Sequence, residues 1–159
     1  MLKVVLDSNI ITGAFIRKEN DCVKLMDKEY TGQFNTFASN DTMEEMLSIA
    51  KAYSLSNELN LNKVEVVEFF KKITRLYRRA NPIETTNRVY IIKSDDTDNI
   101  FLECAMESNT DYIITKNYRH FKEAIGKIKN INDRQITICS PIEFMNIMEI
   151  TSRTAETGL

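Results

Sequence analysis

The stretch Lys3-Val4-Val5-Leu6-Asp7-Ser8-Asn9 decides the fold of this chain. Its apolar, valine-rich part predicts a buried strand, because the run is too short and too branched for a helix. Apolar residues at helical spacing follow directly, at Ile10, Ile11 and Ala14. Ligands bind at the carboxyl ends of the strands in a parallel sheet. We therefore expect Asp7, at such an end, to bind a divalent metal. The alternative is that Asp7 only caps the next helix.

Alternation of strand and helix patterns continues along the chain and predicts the fold class. Further strands are expected at residues 34–37, 89–92, 112–114 and 136–138, with helical patterns between them and a last helix from about 141 to 149. Such alternation predicts an α/β fold, a three-layer α/β/α sandwich around a central, mainly parallel sheet of four or five strands. We expect a single domain over residues 1–150 and a flexible tail over 151–159.

Composition describes an ordinary globular chain. Its 159 residues are 43% hydrophobic and 28% charged, and the net charge of -2 predicts no broad basic face. If the chain binds nucleic acid, it would do so through a local surface patch or through metal ions. Three cysteines lie far apart without metal-ligand spacing, which favours reduced, buried thiols and a cytoplasmic location. No apolar run is long enough to cross a membrane.

Acidic residues recur at the predicted junctions between strands and helices. Asp7 ends the first strand, and Glu44 and Glu45 lie in the helix after the second, where helical periodicity does not separate the two. A third group, Asp95, Asp96 and Asp98, follows the strand expected at 89–92. These junctions share one edge of a parallel sheet, so the acids are expected to converge. Each acid taken singly is also explained as a helix cap.

Converging carboxylates favour metal-assisted chemistry. Unpaired carboxylates at close range repel by roughly a kcal/mol even in water. Magnesium and manganese accept oxygen ligands and activate a bound water for hydrolysis of a phosphodiester. The chain has a single histidine, His120, beside Phe121, and therefore offers no nucleophile–histidine triad. We interpret His120 as structural.

The chain resembles the PIN-domain ribonucleases, in particular their toxin-like branch from toxin–antitoxin systems. The matching segments keep their order and spacing up to about Ile150: residues 4–9, 39–46, 95–102, 111–117 and 136–144. The resemblance implies a PIN-like fold and a magnesium- or manganese-dependent ribonuclease. It also implies an RNA substrate, a cognate antitoxin that inserts a positive side chain into the acidic cleft, and a homodimer.

The resemblance also assigns residues. Asp7, Glu45 and Asp98 would hold the metal and carry catalysis, with Asp7 central. Glu45 is favoured over Glu44 because the family's glutamate precedes an aliphatic residue, here Met46. Secondary roles in orienting the site, its waters or a phosphate fall to the remaining candidates, which are Ser8, Asn9, Asp95 and Thr115.

The sequence departs from the family after Thr115. The family's fourth acid follows a Thr-Gly pair, whereas this chain has Thr115-Lys116-Asn117. An amide brings no charge, so a second metal is expected to bind more weakly, and Lys116 is expected to neutralise part of the pocket. One alternative function is therefore a PIN-like binding module with weakened catalysis. Another is a small phosphatase or phosphoacceptor domain that uses Asp7 as nucleophile.

Overall fold

The computed structural model describes residues 1–56 and 60–158. Its centre is a five-stranded, wholly parallel sheet in the order β3-β2-β1-β4-β5. The strands are β1 (Lys3–Leu6), β2 (Asn35–Ser39), β3 (Asn81–Ile83), β4 (Tyr112–Ile114) and β5 (Thr137–Cys139). The first strand, which the sequence places at the heart of the fold, is the middle strand of this sheet.

Six α-helices connect and cover the strands. They are α1 (Ser8–Phe15), α2 (Asn20–Tyr30), α3 (Asn40–Leu55), α4 (Lys63–Arg79), α5 (Asn99–Met106) and α6 (Pro141–Glu156). Helices α3, α4 and α6 each begin with a capping box, built on Ser39, Asn62 and Ser140. In such a box the cap side chain and the third helical residue satisfy each other's backbone N–H groups, which fixes where the helix starts.

Two apolar clusters lie on opposite faces of the sheet and make three layers. Val4 and Leu6 of β1 pack into the cluster formed with α1, α2, α3, α4 and α6. Val5, which points the other way as strand geometry requires, packs against α5 and the segment from Phe121 to Ile136. The predicted α/β sandwich is confirmed.

The third strand lies elsewhere than predicted. The strand expected at residues 89–92 is absent from the described structure, and β3 is the edge strand that includes Pro82. Side chains take the hydrogen bonds that a strand partner would take: the Val89 N–H donates to Glu103 Oε1, and Asn99 bonds both the N–H and the C=O of Ile92. An edge position tolerates proline, which has no N–H to donate.

The end of the described chain also differs from the expected tail. Helix α6 continues to Glu156, so residues 151–156 are helical. Within the described residues, no helix is both long enough and apolar enough to span a membrane.

Candidate active site

Asp7 lies where β1 ends and α1 begins, and its side chain is almost fully buried, with 5% of the residue exposed. Asp7 is the N-cap residue of α1; its side chain makes no capping hydrogen bond within the usual geometric limits, although the Asn9 backbone N–H lowers its pKa. Instead Asp7 Oδ2 accepts a hydrogen bond of 2.7 Å from the Thr115 hydroxyl, just beyond β4. The pKa of Asp7 is raised to about 7: burial is the largest cause, the charges of Asp98 and Glu45 add to it, and the hydrogen bond from Thr115 opposes them.

Glu45 faces Asp7 from the second turn of α3. Its Oε2 accepts a hydrogen bond of 2.6 Å from the Ser8 hydroxyl at the start of α1. Partial burial raises the pKa of Glu45, with the charge of Asp98 adding to the effect. Glu44 is exposed and lies beside Met43 and Tyr77 on the outer surface of α3 and α4. The structure therefore separates two glutamates that helical periodicity left equivalent.

Asp98 reaches the same edge although the strand expected before it is missing. An irregular segment leads into a single 3-10 turn, Asp96–Asp98, and α5 begins at the next residue. The buried Asn99 side chain fixes this turn by bonding Ile92 and Asp96. Burial raises the pKa of Asp98, and the nearby Asp95 raises it further.

The three acids form one electrostatic unit that lacks a strong counter-charge. Among the described residues, no lysine or arginine forms an ion pair with Asp7, Glu45 or Asp98. Their charges influence one another, although the described residues whose ligand atoms lie within 4.8 Å of one another are Asp95, Asp98 and His120 rather than these three. Carboxylate oxygens are the ligands that Mg²⁺ and Mn²⁺ take. The donor set therefore fits a hard divalent cation.

Lys116 does not neutralise this pocket, contrary to the expectation from the sequence. Its Nζ lies 2.9 Å from Glu19 Oε2 and 2.9 Å from Asp21 Oδ2, at the start of α2. The bond to Asp21 and that to Glu19 raise the pKa of Lys116. The positive charge of Lys116 is therefore paired with Glu19 and Asp21.

The secondary residues surround the three acids. Asn9 accepts a bond from the Lys116 N–H through Oδ1, while its buried Nδ2 has no hydrogen-bond partner among the described residues. Asp95 caps the 3-10 turn by accepting from Thr97. Asn117 is exposed, and its N–H donates to the Thr115 hydroxyl that holds Asp7. Ser8 and Thr115 contact the acids directly, so their positioning role has a physical basis.

His120 is the residue that sequence reasoning undervalued. Its Nδ1 lies 3.2 Å from Asp98 Oδ2, and 48% of its side chain remains exposed. A lone histidine beside an apolar residue gave no signal of this contact. The cue in the sequence was its position: His120 lies shortly after β4, at the end of the turn that begins at Asn117.

Comparison with known proteins identifies the family. The family model described as PIN domain matches residues 3–119, and the chain belongs to this family. No curated protein matches the chain significantly. The matched range contains all three acids and ends one residue before His120.

Two solved structures share the fold at low sequence identity. One is VapBC2 from Rickettsia felis bound to a DNA fragment from the promoter, with 12% identity, a TM-score of 0.53 and coverage of 87% of this chain and 98% of that one. The other is FitAB bound to an IR36 DNA fragment, with 16% identity, a TM-score of 0.55 and coverage of 87% and 94%. At these identities the likeness concerns the fold alone.

Proposed function

We propose that this chain is a metal-dependent endoribonuclease that hydrolyses phosphodiester bonds in RNA. The observation that carries the proposal is electrostatic: Asp98 and Glu45 raise the pKa of Asp7, and Asp98 raises that of Glu45. Membership of the PIN family supports the same conclusion. A divalent cation, Mg²⁺ or Mn²⁺, supplies the missing positive charge, polarises the phosphoryl group and lowers the pKa of a bound water.

Each residue has a distinct part in the proposed site. Asp7, Glu45 and Asp98 hold the cation. The Ser8 hydroxyl orients Glu45 through its 2.6 Å bond, and the Thr115 hydroxyl orients Asp7 through its 2.7 Å bond. Because these donors bond the carboxylates from buried positions, the ligands are held in place before the substrate arrives.

The direct test incubates the purified chain with total RNA and Mn²⁺. The native protein and Asp27→Asn, which changes an exposed acid on α2, are expected to cleave RNA at equal rates. Asp7→Asn and addition of EDTA should each abolish cleavage. Equal cleavage by native protein and Asp7→Asn would contradict the proposal, because it would indicate a contaminating nuclease.

The amide at Asn117 supports a second candidate function, that of a PIN-like binding module with weak catalysis. The position that carries the fourth acid in the family holds an amide here. Asn117→Asp separates the two functions. A large gain of Mn²⁺-dependent cleavage from a nearly inactive native chain supports the binding module, whereas good activity of the native chain supports the nuclease.

The phosphatase or phosphoacceptor alternative has little structural support. A phosphoacceptor domain uses a lysine beside the acceptor aspartate, but Lys116 pairs with Glu19 and Asp21. A stable acyl-phosphate on Asp7 after treatment with a phosphodonor would revive this alternative.

The proposal includes a role as a toxin restrained by a cognate antitoxin. The solved relatives VapBC2 and FitAB, each on a DNA fragment, support the view that PIN chains of this shape work with a partner protein. We also propose action in the cytoplasm, where the three buried free cysteines stay reduced, and assembly as a homodimer. Co-purification with the product of the adjacent reading frame and a measured mass in solution test these points.

A further inference from the structure

A nitrogen ligand lies next to the acidic site. Asp95, Asp98 and His120 each offer one ligand atom, and these atoms lie within 4.8 Å of one another. Asp95 and Asp98 belong to one local segment, the 3-10 turn that leads into α5, and His120 comes from the turn after β4. The group therefore depends on the tertiary fold and differs in chemistry from the purely oxygen set of Asp7 and Glu45.

The turn after β4 fixes His120 in this position. The Asn117 N–H donates to the buried Thr115 hydroxyl, and the His120 N–H donates to the Asn117 carbonyl at 2.9 Å. The same turn that lacks an acid at Asn117 thus brings an imidazole to Asp98. Because about half of the His120 side chain is exposed, an ion can approach the ring from solvent.

The distance between the His120 ring and the Asp98 carboxylate suits coordination of one shared metal ion. Two adjacent ligands of an octahedral ion, each about 2.1 Å from it, lie about 3 Å apart. The His120 Nδ1 and Asp98 Oδ2 atoms are 3.2 Å apart. A hydrogen bond between the two groups has the same spacing, so direct coordination must be distinguished from simple orientation of Asp98.

We propose that His120, together with Asp95 and Asp98, forms a nitrogen–oxygen subsite of the metal centre that favours Mn²⁺ over Mg²⁺. The proposal rests on the proposed metal-dependent function. Mg²⁺ is a main-group ion that strongly prefers oxygen ligands and keeps its waters, whereas Mn²⁺, although it also takes carboxylates, is a first-row transition metal that binds mixed nitrogen–oxygen sites. On binding, Nδ1 uses its lone pair for the metal and releases any proton it carries, and Nε2 keeps the remaining ring proton.

Pulsed electron paramagnetic resonance of the Mn²⁺-loaded chain tests coordination directly. The sequence contains one histidine, so an imidazole ¹⁴N coupling in protein prepared without a polyhistidine tag can only come from His120. We expect this coupling in the native chain and in Arg119→Gln, an exposed neighbour in the same turn. The coupling should disappear in His120→Gln.

Calorimetry provides the second measurement. We expect His120→Gln to weaken Mn²⁺ binding by about tenfold or more, the range seen when groups around a metal are removed. Mg²⁺ binding should change little. Circular dichroism of the variant checks that it is folded, and the coupling in the native chain decides the question even if the variant is not.

The outcomes separate the two proposals. Mn²⁺ bound without an imidazole coupling overturns the role of His120 as a ligand and leaves the metal-dependent nuclease standing. No binding of Mn²⁺ or Mg²⁺ to the native chain overturns both. An equal loss of affinity for both metals in His120→Gln contradicts the claimed preference.

Discussion

Thr115 occupies a position where one hydroxyl serves two neighbours. It is fully buried, donates to Asp7 Oδ2 and accepts from the Asn117 N–H. The first bond favours the charged form of a carboxylate that burial otherwise disfavours. A residue that touches no substrate can in this way control whether the central acid is ready to bind a cation.

Replacement of Thr115 by valine should therefore weaken the site. The side chain keeps its shape but loses the hydroxyl, so Asp7 loses its donor and its orientation. We expect Mn²⁺ affinity, measured by calorimetry, to fall by roughly tenfold. Thr115→Ser, which keeps the hydroxyl, should bind nearly as well as the native chain. Equal affinity of the valine and serine variants would show that the hydrogen bond does not matter.

From the sequence, a side chain could be placed in the fold only where its position in the chain was sufficient. Asp7 could be placed because it directly follows an apolar strand. The choice between Glu44 and Glu45 needed the resemblance, since their difference in exposure depends on how α3 packs on its neighbours. The contact between His120 and Asp98 was not predicted, because a turn leaves no periodic pattern and only the position of His120 shortly after β4 pointed to it.

At the scale of elements, the start of α3 controls the position of Glu45. Ser39 caps the helix, and its hydroxyl accepts from the Thr42 N–H while the Thr42 hydroxyl accepts from the Ser39 N–H. Helix ends without such partners leave unsatisfied N–H groups and fray.

Ser39→Ala should cost about 1 kcal/mol of unfolding free energy, the usual effect of losing an N-cap. Ser54→Ala provides the matched control, since Ser54 is partly exposed near the other end of the same helix and its hydroxyl donates to the Lys51 carbonyl. Its effect should stay within about 0.5 kcal/mol. Urea denaturation measures both, and a loss from Ser54→Ala as large as that from Ser39→Ala would argue against the cap.

The segment before α5 shows why one strand was wrongly predicted. Residues 89–92 form a short, β-branched and aromatic run that suits a strand, and Ile92 is indeed buried. Yet the Asn99 side chain bonds both backbone groups of Ile92, and Glu103 accepts from Val89. The sequence pattern reports burial correctly but does not show which groups take the backbone hydrogen bonds. The edge strand β3 instead lies earlier in the chain and contains Pro82.

Asn99 should consequently be a major stabilising residue. Asn99→Leu leaves the Ile92 N–H and C=O buried without partners, and we expect a loss of about 2–3 kcal/mol in unfolding free energy. Asn132→Ala, at an exposed position, should change stability by less than about 0.5 kcal/mol. Chemical denaturation followed by circular dichroism measures both variants. A small effect of Asn99→Leu would mean that the segment rearranges to bond elsewhere.

At the scale of the whole molecule, the buried acids of the site lower the stability of the folded state as the pH approaches neutrality. The folded chain raises the pKa of Asp7 from 3.8 to about 7, so between these values the folded state binds more protons than the unfolded state. Stability therefore falls as pH rises through this window. Glu45 and Asp98 shift in the same direction. Acids with lowered pKa values, such as Glu19 and Asp21, act oppositely but only at lower pH.

In EDTA we expect the unfolding free energy to decrease between pH 5 and pH 7, by on the order of 2 kcal/mol. Asp7→Asn should remove most of this dependence and be more stable than the native chain at pH 7. Saturating Mn²⁺ should restore the stability of the native chain but not of the variant, because binding to the folded state adds stability. Asp27→Asn should behave as the native chain does, and a flat native profile would contradict the effect of burial.

The proline in β3 has a consequence for how copies of this protein meet. A sheet can extend onto a second chain through the free backbone N–H groups of its edge strand. Pro82 removes one such group from β3, an edge strand only three residues long. Recruitment of a foreign strand on this side is thereby discouraged, which protects the protein against amyloid-like stacking. We expect any pairing of two copies to be helix-mediated on that flank.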